Sequence, residues 1–265
     1  MAEARTDDGI VLNWEERGPA DGPLLVASMH FSAPPAVFEG LWADLARDHR
    51  LVTYDLRGVG ESTREGPYEM ERDARDLVTV IEAAGDGAAT VVAFGDGANR
   101  AVRAAVSRPD LIGRVVGPAG NPLGREAAQG GGGGLAASAG VLQLLQEQIR
   151  RDYRAALREM VTSANPDWSD EVVRDRIELN VAYCPQDAAA ARLSNWIGDD
   201  VLEESRSLGD RLWIVAHPQN PWFPISLADA TRELAPEARV FVAENGPVTR
   251  PDLHAEIIRE ATAQE

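Results

Sequence analysis

A histidine and two carboxylates stand just after apolar runs of this chain: His30 after 24–28, Asp96 after 90–94 and Glu244 after 239–243. Short apolar runs of this kind suit strands buried on both faces of a parallel sheet. Ligand sites in such sheets gather at the C-terminal ends of the strands. Phe31, Ser32, Gly95, Asn220, Trp222 and Asn245 arrive at the same end. Close like charges in a dry pocket push one carboxyl pKa upward, so Asp96 and Glu244 beside His30 form a candidate acid–base set. Such a set suits lyase, isomerase or cyclase chemistry, in which protons move and no covalent intermediate forms. The same residues have structural readings. Asp96 at a helix start caps that helix, His30 orients its loop, and Glu244 lies exposed.

The elements that must position these groups read as an α/β chain. Strands are expected near 9–15, 24–28, 51–54, 90–94 and 115–116, with helices at 36–48, 70–84 and 98–107. That alternation marks a mostly parallel central sheet flanked by helices. The rhythm then changes. The stretch 117–134 is glycine-rich, with five consecutive glycines at 130–134, and reads as a loop. From 137 to 207 only helical periodicity appears, with Asp167 and Ser169 as candidate N-caps of the segment through Val172, Val173 and Ile177. Strand and helix resume at 211–216, 226–235, 239–243 and 252–263. The expected layout is a core of 1–121 and 209–265 interrupted by an all-helical cap over 122–208.

Composition narrows the partners. A net charge of −17 in 265 residues disfavours nucleic acid and anionic membrane, whose phosphates would be repelled. Every Lys+Arg position is Arg, so no lysine Schiff base is available. Cys184 is the sole cysteine, which excludes an internal disulfide and reads as a small buried apolar residue. No Gly-x-Gly-x-x-Gly follows a strand and no ligand cluster has metal spacing, so neither cofactor nor metal is expected. The first residues carry no apolar signal segment, and a cytoplasmic protein with a small-molecule ligand is the expectation. Oligomeric state is not legible.

Four segments carry a resemblance. Tyr54-Asp55-Leu56-Arg57-Gly58-Val59-Gly60-Glu61-Ser62 resembles a glycine-rich loop of cap-bearing α/β hydrolases, in which Asp and Arg are a structural pair. Met29-His30-Phe31 lies where that family places its oxyanion-hole loop, and Arg108-Pro109-Asp110 resembles the end of the helix after its nucleophile elbow. The run from His217 to Pro224 is similar to its Gly-x-x-Asp-x-x-x-Pro acid loop. In the elbow, Ala-Phe-Gly-Asp-Gly-Ala at 93–98, placing Gly95 in the nucleophile slot gives the small flanks Ala93 and Gly97 that the turn needs. Placing Asp96 there leaves Phe94 at a crowded flank. The resemblance then puts Asn220 in the acid slot and Glu244 in the histidine slot, so all three triad positions are replaced. It also implies that backbone N–H groups of Phe31 or Ser32 and of Asp96 form an oxyanion hole. Three readings follow: a non-hydrolytic enzyme acting on a small, largely apolar substrate, a non-catalytic binder, and a hydrolase with Asp96 as nucleophile.

Overall fold

The computed structural model describes residues 1–85, 87–123 and 138–263. Eight strands form one sheet in the order β1-β2-β4-β3-β5-β6-β7-β8: β1 Ala2–Arg5, β2 Val11–Arg17, β3 Leu24–Ser28, β4 Arg50–Tyr54, β5 Ala89–Gly95, β6 Ile112–Gly120, β7 Leu212–Ala216 and β8 Arg239–Val242. The pairs β1/β2 and β2/β4 are antiparallel, and the remaining neighbours run parallel. Every residue of β3, β5 and β7 is buried, as expected for strands covered by helices on both faces.

A 3-10 turn Pro35–Phe38 and helix α1 Glu39–Leu45 replace the single expected helix at 36–48. Helices α2 Met70–Ala84 and α3 Gly97–Ser107 flank the sheet close to the expected bounds. Strand β6 is longer than expected and takes in Gly117–Gly120, read from sequence as loop. Backbone pairing accounts for this, because Phe94 and Gly95 of β5 hold Ala119 and Gly120 in register. The five-glycine run lies outside the described residues.

Between β6 and β7 come α4 Ala139–Arg151, α5 Tyr153–Ala164, α6 Asp170–Tyr183, α7 Gln186–Gly198 and α8 Leu202–Leu208. Three of these start on a side-chain cap: Ser138 accepts from Val141 N, Asp152 from Ala155 N and Ser169 from Val172 N. The chain closes with α9 Ile225–Leu234 and α10 Pro251–Thr262. No helix among the described residues is long and apolar enough to cross a membrane.

The connection from β3 runs to β4 on one side and that from β5 runs to β6 on the other, which makes a topological switch point between β3 and β5. Ser28 is in register with Ala93, so the loops after β3 and β5 emerge side by side. Contact between them is close: a Cβ at Gly97 would lie 2.2 Å from the Ser28 carbonyl oxygen.

Candidate active site

Gly95 makes the turn from β5 into α3 with φ +55°, a left-handed conformation that favours glycine. Asp96 follows in the right-handed helical region at φ −62°. The residue at the sharp turn is therefore Gly95, with Ala93 and Gly97 as its flanks. The space beside it is occupied, since a Cβ on Gly95 would meet His30 Cδ2 at 2.4 Å. The imidazole of His30 fills the volume into which a side chain at the turn would point.

Ser32 contacts that ring in a way compatible with either tautomer. Its N–H reaches His30 Nδ1 at 3.4 Å and its hydroxyl lies 3.3 Å from the same nitrogen. The N–H supports a ring protonated at Nε2, and the hydroxyl oxygen supports one protonated at Nδ1. Nε2 makes no hydrogen bond among the described residues. Part of the ring surface stays open to a cavity while protein atoms crowd it elsewhere. Burial lowers the His30 pKa to about 4; the Asp96 carboxylate opposes the shift, and the Arg100 and Arg176 charges add to it. His30 is neutral at pH 7.

The cavity has a volume of about 180 Å³ and lies between the strand ends and helices α4 to α7. His30, Ser32, Gly95, Asn220 and Trp222 all line it, so five of the residues expected at the site are brought together. Its walls are otherwise largely apolar, with Phe94, Leu157, Met160 and Trp196 among them. Asn220 organises its own loop: its Oδ1 accepts from Trp222 N at 2.9 Å and from Phe223 N at 3.4 Å. Trp222 is held by a 2.9 Å bond from its indole N–H to Ser163 Oγ.

The other expected residues lie elsewhere. Asp96 is buried but does not line the cavity, and its side chain does not cap α3. One carboxylate oxygen accepts from Phe31 N at 2.8 Å, and the other accepts from Arg100 Nη2 at 2.5 Å. The charge of Arg100, one helical turn on, draws the carboxylate away from the cavity. Phe31 is fully buried with its ring 4.1 Å from that of His30, and its N–H, an expected oxyanion donor, is spent on Asp96. Glu244 and Asn245 are exposed and line a separate cavity of about 80 Å³ with His217 and Gln219. The expected pairing of Asp96 with Glu244 is thus not formed: one is tied inward by an arginine, and the other sits at the rim in water.

Arg57 and Asp55 hold structure separately instead of pairing with each other. Asp55 Oδ2 accepts from Glu61 N at 2.9 Å, while buried Arg57 binds Asp76 at 2.6 Å and Asp8 at 2.9 Å. Cys184 is fully buried, and burial pushes its thiol up to about 12, which makes it unreactive. No group of three or more His, Cys, Asp or Glu that could hold a metal occurs among the described residues.

Two site residues escaped the sequence reading. Arg176 and Asn180 of α6 line the same cavity. Val173 and Ile177 mark the inward face of that helix, and Arg176 and Asn180 fall on it at the i, i+4 spacing. Polar residues on an apolar helical stripe were the available signal.

Behind the site, His217 bridges strand ends, with Nε2 2.6 Å from Pro118 O and Nδ1 3.2 Å from Ala243 O. His254 stacks on it at 5.3 Å and donates from Nδ1 to Arg250 O, while its Nε2 is buried without a partner. Burial lowers the His254 pKa to about 4, so the unfolded chain takes up a proton near pH 6.5 that the folded chain refuses. Stability from this group is full above pH 6.5 and declines as pH falls toward 4. Between pH 7 and pH 5 it amounts to about 2 kcal/mol. Urea titrations at the two pH values should show that difference shrinking in His254→Gln; an unchanged pH slope would remove the assignment.

The sequence comparisons agree with this fold. A family model described as alpha/beta hydrolase fold matches residues 31–246.

The chain belongs to the α/β-hydrolase fold family.

Within the family, RutD of Caulobacter segnis is 41% identical over 69 residues, 25% of this chain and 26% of that protein. The 2-(acetamidomethylene)succinate hydrolase of Mesorhizobium japonicum is 36% identical over 114 residues, 42% of this chain and 40% of that protein. The chain thus matches well under half the length of either relative. The esterase EaEST of Exiguobacterium antarcticum superposes with a TM-score of 0.84 at 16% identity, covering 99% of both chains, which is a likeness of fold.

Proposed function

We propose that this α/β hydrolase lacks the usual catalytic triad and moves protons on a small, largely apolar organic substrate, in lyase, isomerase or cyclase chemistry. The observation that carries the reading is His30, whose ring stands where a nucleophile would project and lines the cavity, with Nε2 in no hydrogen bond among the described residues. With Nδ1 held by the Ser32 N–H, Nε2 presents a proton to a substrate oxygen. With Nδ1–H donated to the Ser32 hydroxyl, Nε2 presents a lone pair that accepts a proton from carbon. The neighbouring Asp96 carboxylate favours the imidazolium formed in that step. No acyl-enzyme enters this chemistry, because Gly95 has no nucleophile and the chain offers Asn220 and Glu244 at the positions of acid and base. Asp96 as nucleophile loses its geometric support, being bound to Arg100 and Phe31 N and turned from the cavity.

A second reading, ligand binding without turnover, is favoured by the Phe31 N–H. Its bond to Asp96 removes a donor that would stabilise a developing oxyanion. Hydrolysis remains the activity named for the Mesorhizobium relative. Exchange of the α-protons of cyclohexanone in D2O, followed by NMR, separates the readings. Wild-type protein should accelerate exchange and His30→Asn should lose roughly 100-fold or more of that acceleration. Saturable binding of the ketone with no exchange would favour the binder. Stoichiometric labelling by a fluorophosphonate would establish a serine hydrolase and overturn the proposal.

A further inference from the structure

The geometry points to a carboxylate-binding subsite in the cavity, formed by Arg176 and Asn180 of α6, so that the ligand is a small organic acid with an apolar body. Arg176 makes no ion pair and no side-chain hydrogen bond among the described residues, and its guanidinium lies over the Trp168 ring at 5.5 Å. Buried arginines of the chain each have an acceptor: Arg57 has Asp76 and Asp8, Arg100 has Asp96, Arg192 has Asp73, and Arg114 has the Ala261 carbonyl, whereas half-buried Arg176 has none. A cation drawn out of water without an anion is costly, and an incoming carboxylate removes that cost. Burial acts alone on Arg176 and lowers its pKa to about 10, still well above neutrality.

Asn180 supplies an independent observation. Only 5% of its surface is exposed, and its Oδ1 is buried with no hydrogen-bond partner. Buried polar atoms are usually paired with protein, water or a ligand, and Asn180 lines the cavity. The two side chains lie one helical turn apart on the cavity face, and the Arg176 charge is near enough to bear on His30 across the cavity. A carboxylate on the planar guanidinium fork places a neighbouring hydroxyl or amide N–H at Asn180 Oδ1. The apolar body then rests against Leu157, Met160, Trp196 and Phe94, with its far end toward His30.

The inference rests on the cavity being a ligand site, as proposed above, and it is read by binding alone, without turnover. Calorimetric titration compares phenylacetate, its uncharged isostere phenylacetamide, and mandelate, which adds a hydroxyl next to the carboxylate. A buffer at about 0.15 M ionic strength screens the net charge of −17. Phenylacetate should bind roughly 10- to 100-fold more tightly than phenylacetamide, the range expected for a charge-assisted hydrogen bond. Arg176→Gln should abolish that preference while keeping phenylacetamide affinity, and Arg176→Lys should restore part of it. Mandelate should gain over phenylacetate in wild type but not in Asn180→Leu. Equal affinity for acid and amide in wild type, or a preference surviving in Arg176→Gln, overturns the subsite while leaving the cavity a ligand site. Failure of all three probes to bind overturns both.

Discussion

Asp96→Ala lowers the stability of the folded chain by about 3–5 kcal/mol, because it leaves the Arg100 guanidinium buried without its nearest anion. Arg100 is fully buried, and the next carboxylate, on Asp73, is 3.7 Å from its Nε and also pairs with Arg192. The change also strips the Phe31 N–H of its acceptor, a second buried loss. For a chain of this length the expected fall in Tm is roughly 6 to 10 °C, measured by differential scanning calorimetry. Asp96→Asn should lie between the two, since an amide oxygen still accepts from Phe31 N. Combining Asp96→Ala with Arg100→Met should cost less than the sum of the single changes, because the charges then leave together. A Tm unchanged in Asp96→Ala, with activity lost, would return Asp96 to the role of a pocket acid.

This expectation reverses what residue types alone suggest, and the reason is directional. The alternation of apolar runs and helical periodicity fixed which loops meet at the strand ends, and His30, Ser32, Gly95, Asn220 and Trp222 do meet in one cavity. Spacing along the chain carries no information on where a carboxylate points. Asp96 is turned by Arg100, an i, i+4 partner that an acid-centred reading passes over. Glu244 fails differently, since the same loop sends Gly246, Pro247 and Val248 to the cavity and leaves Glu244 in solvent. Strand β1 was invisible for want of pattern, because only Ala4 of its four residues is buried. Arg176 was visible only as a charge on a helix. Its significance depends on the absence of a partner in space, which no linear pattern records.

Gly95→Ser will not turn this protein into an esterase, and it will destabilise it by about 2–4 kcal/mol. Two costs combine. A non-glycine residue at φ +55° stores backbone strain of about 1–3 kcal/mol, and the new Cβ must displace His30 from 2.4 Å. Relatives that carry a nucleophile at such a turn must keep the space beside it open, whereas here the imidazole has taken it. Shortening the ring should therefore rescue the serine. In a double-mutant cycle, Gly95→Ser with His30→Ala should show a favourable coupling of about 1–3 kcal/mol, read from urea midpoints at constant m. Neither variant should give a burst with p-nitrophenyl acetate. The serine would have no free histidine base: its Cβ displaces His30 in the single variant, the double variant lacks that ring, and His217 is committed to Pro118 and Ala243 carbonyls. Nor would it have the Phe31 N–H for its oxyanion while Asp96 holds that donor. An additive cycle would mean that His30 moves aside at no cost and the slot is not filled. A burst from Gly95→Ser alone would mean that the other triad functions persist in groups not recognised at this site.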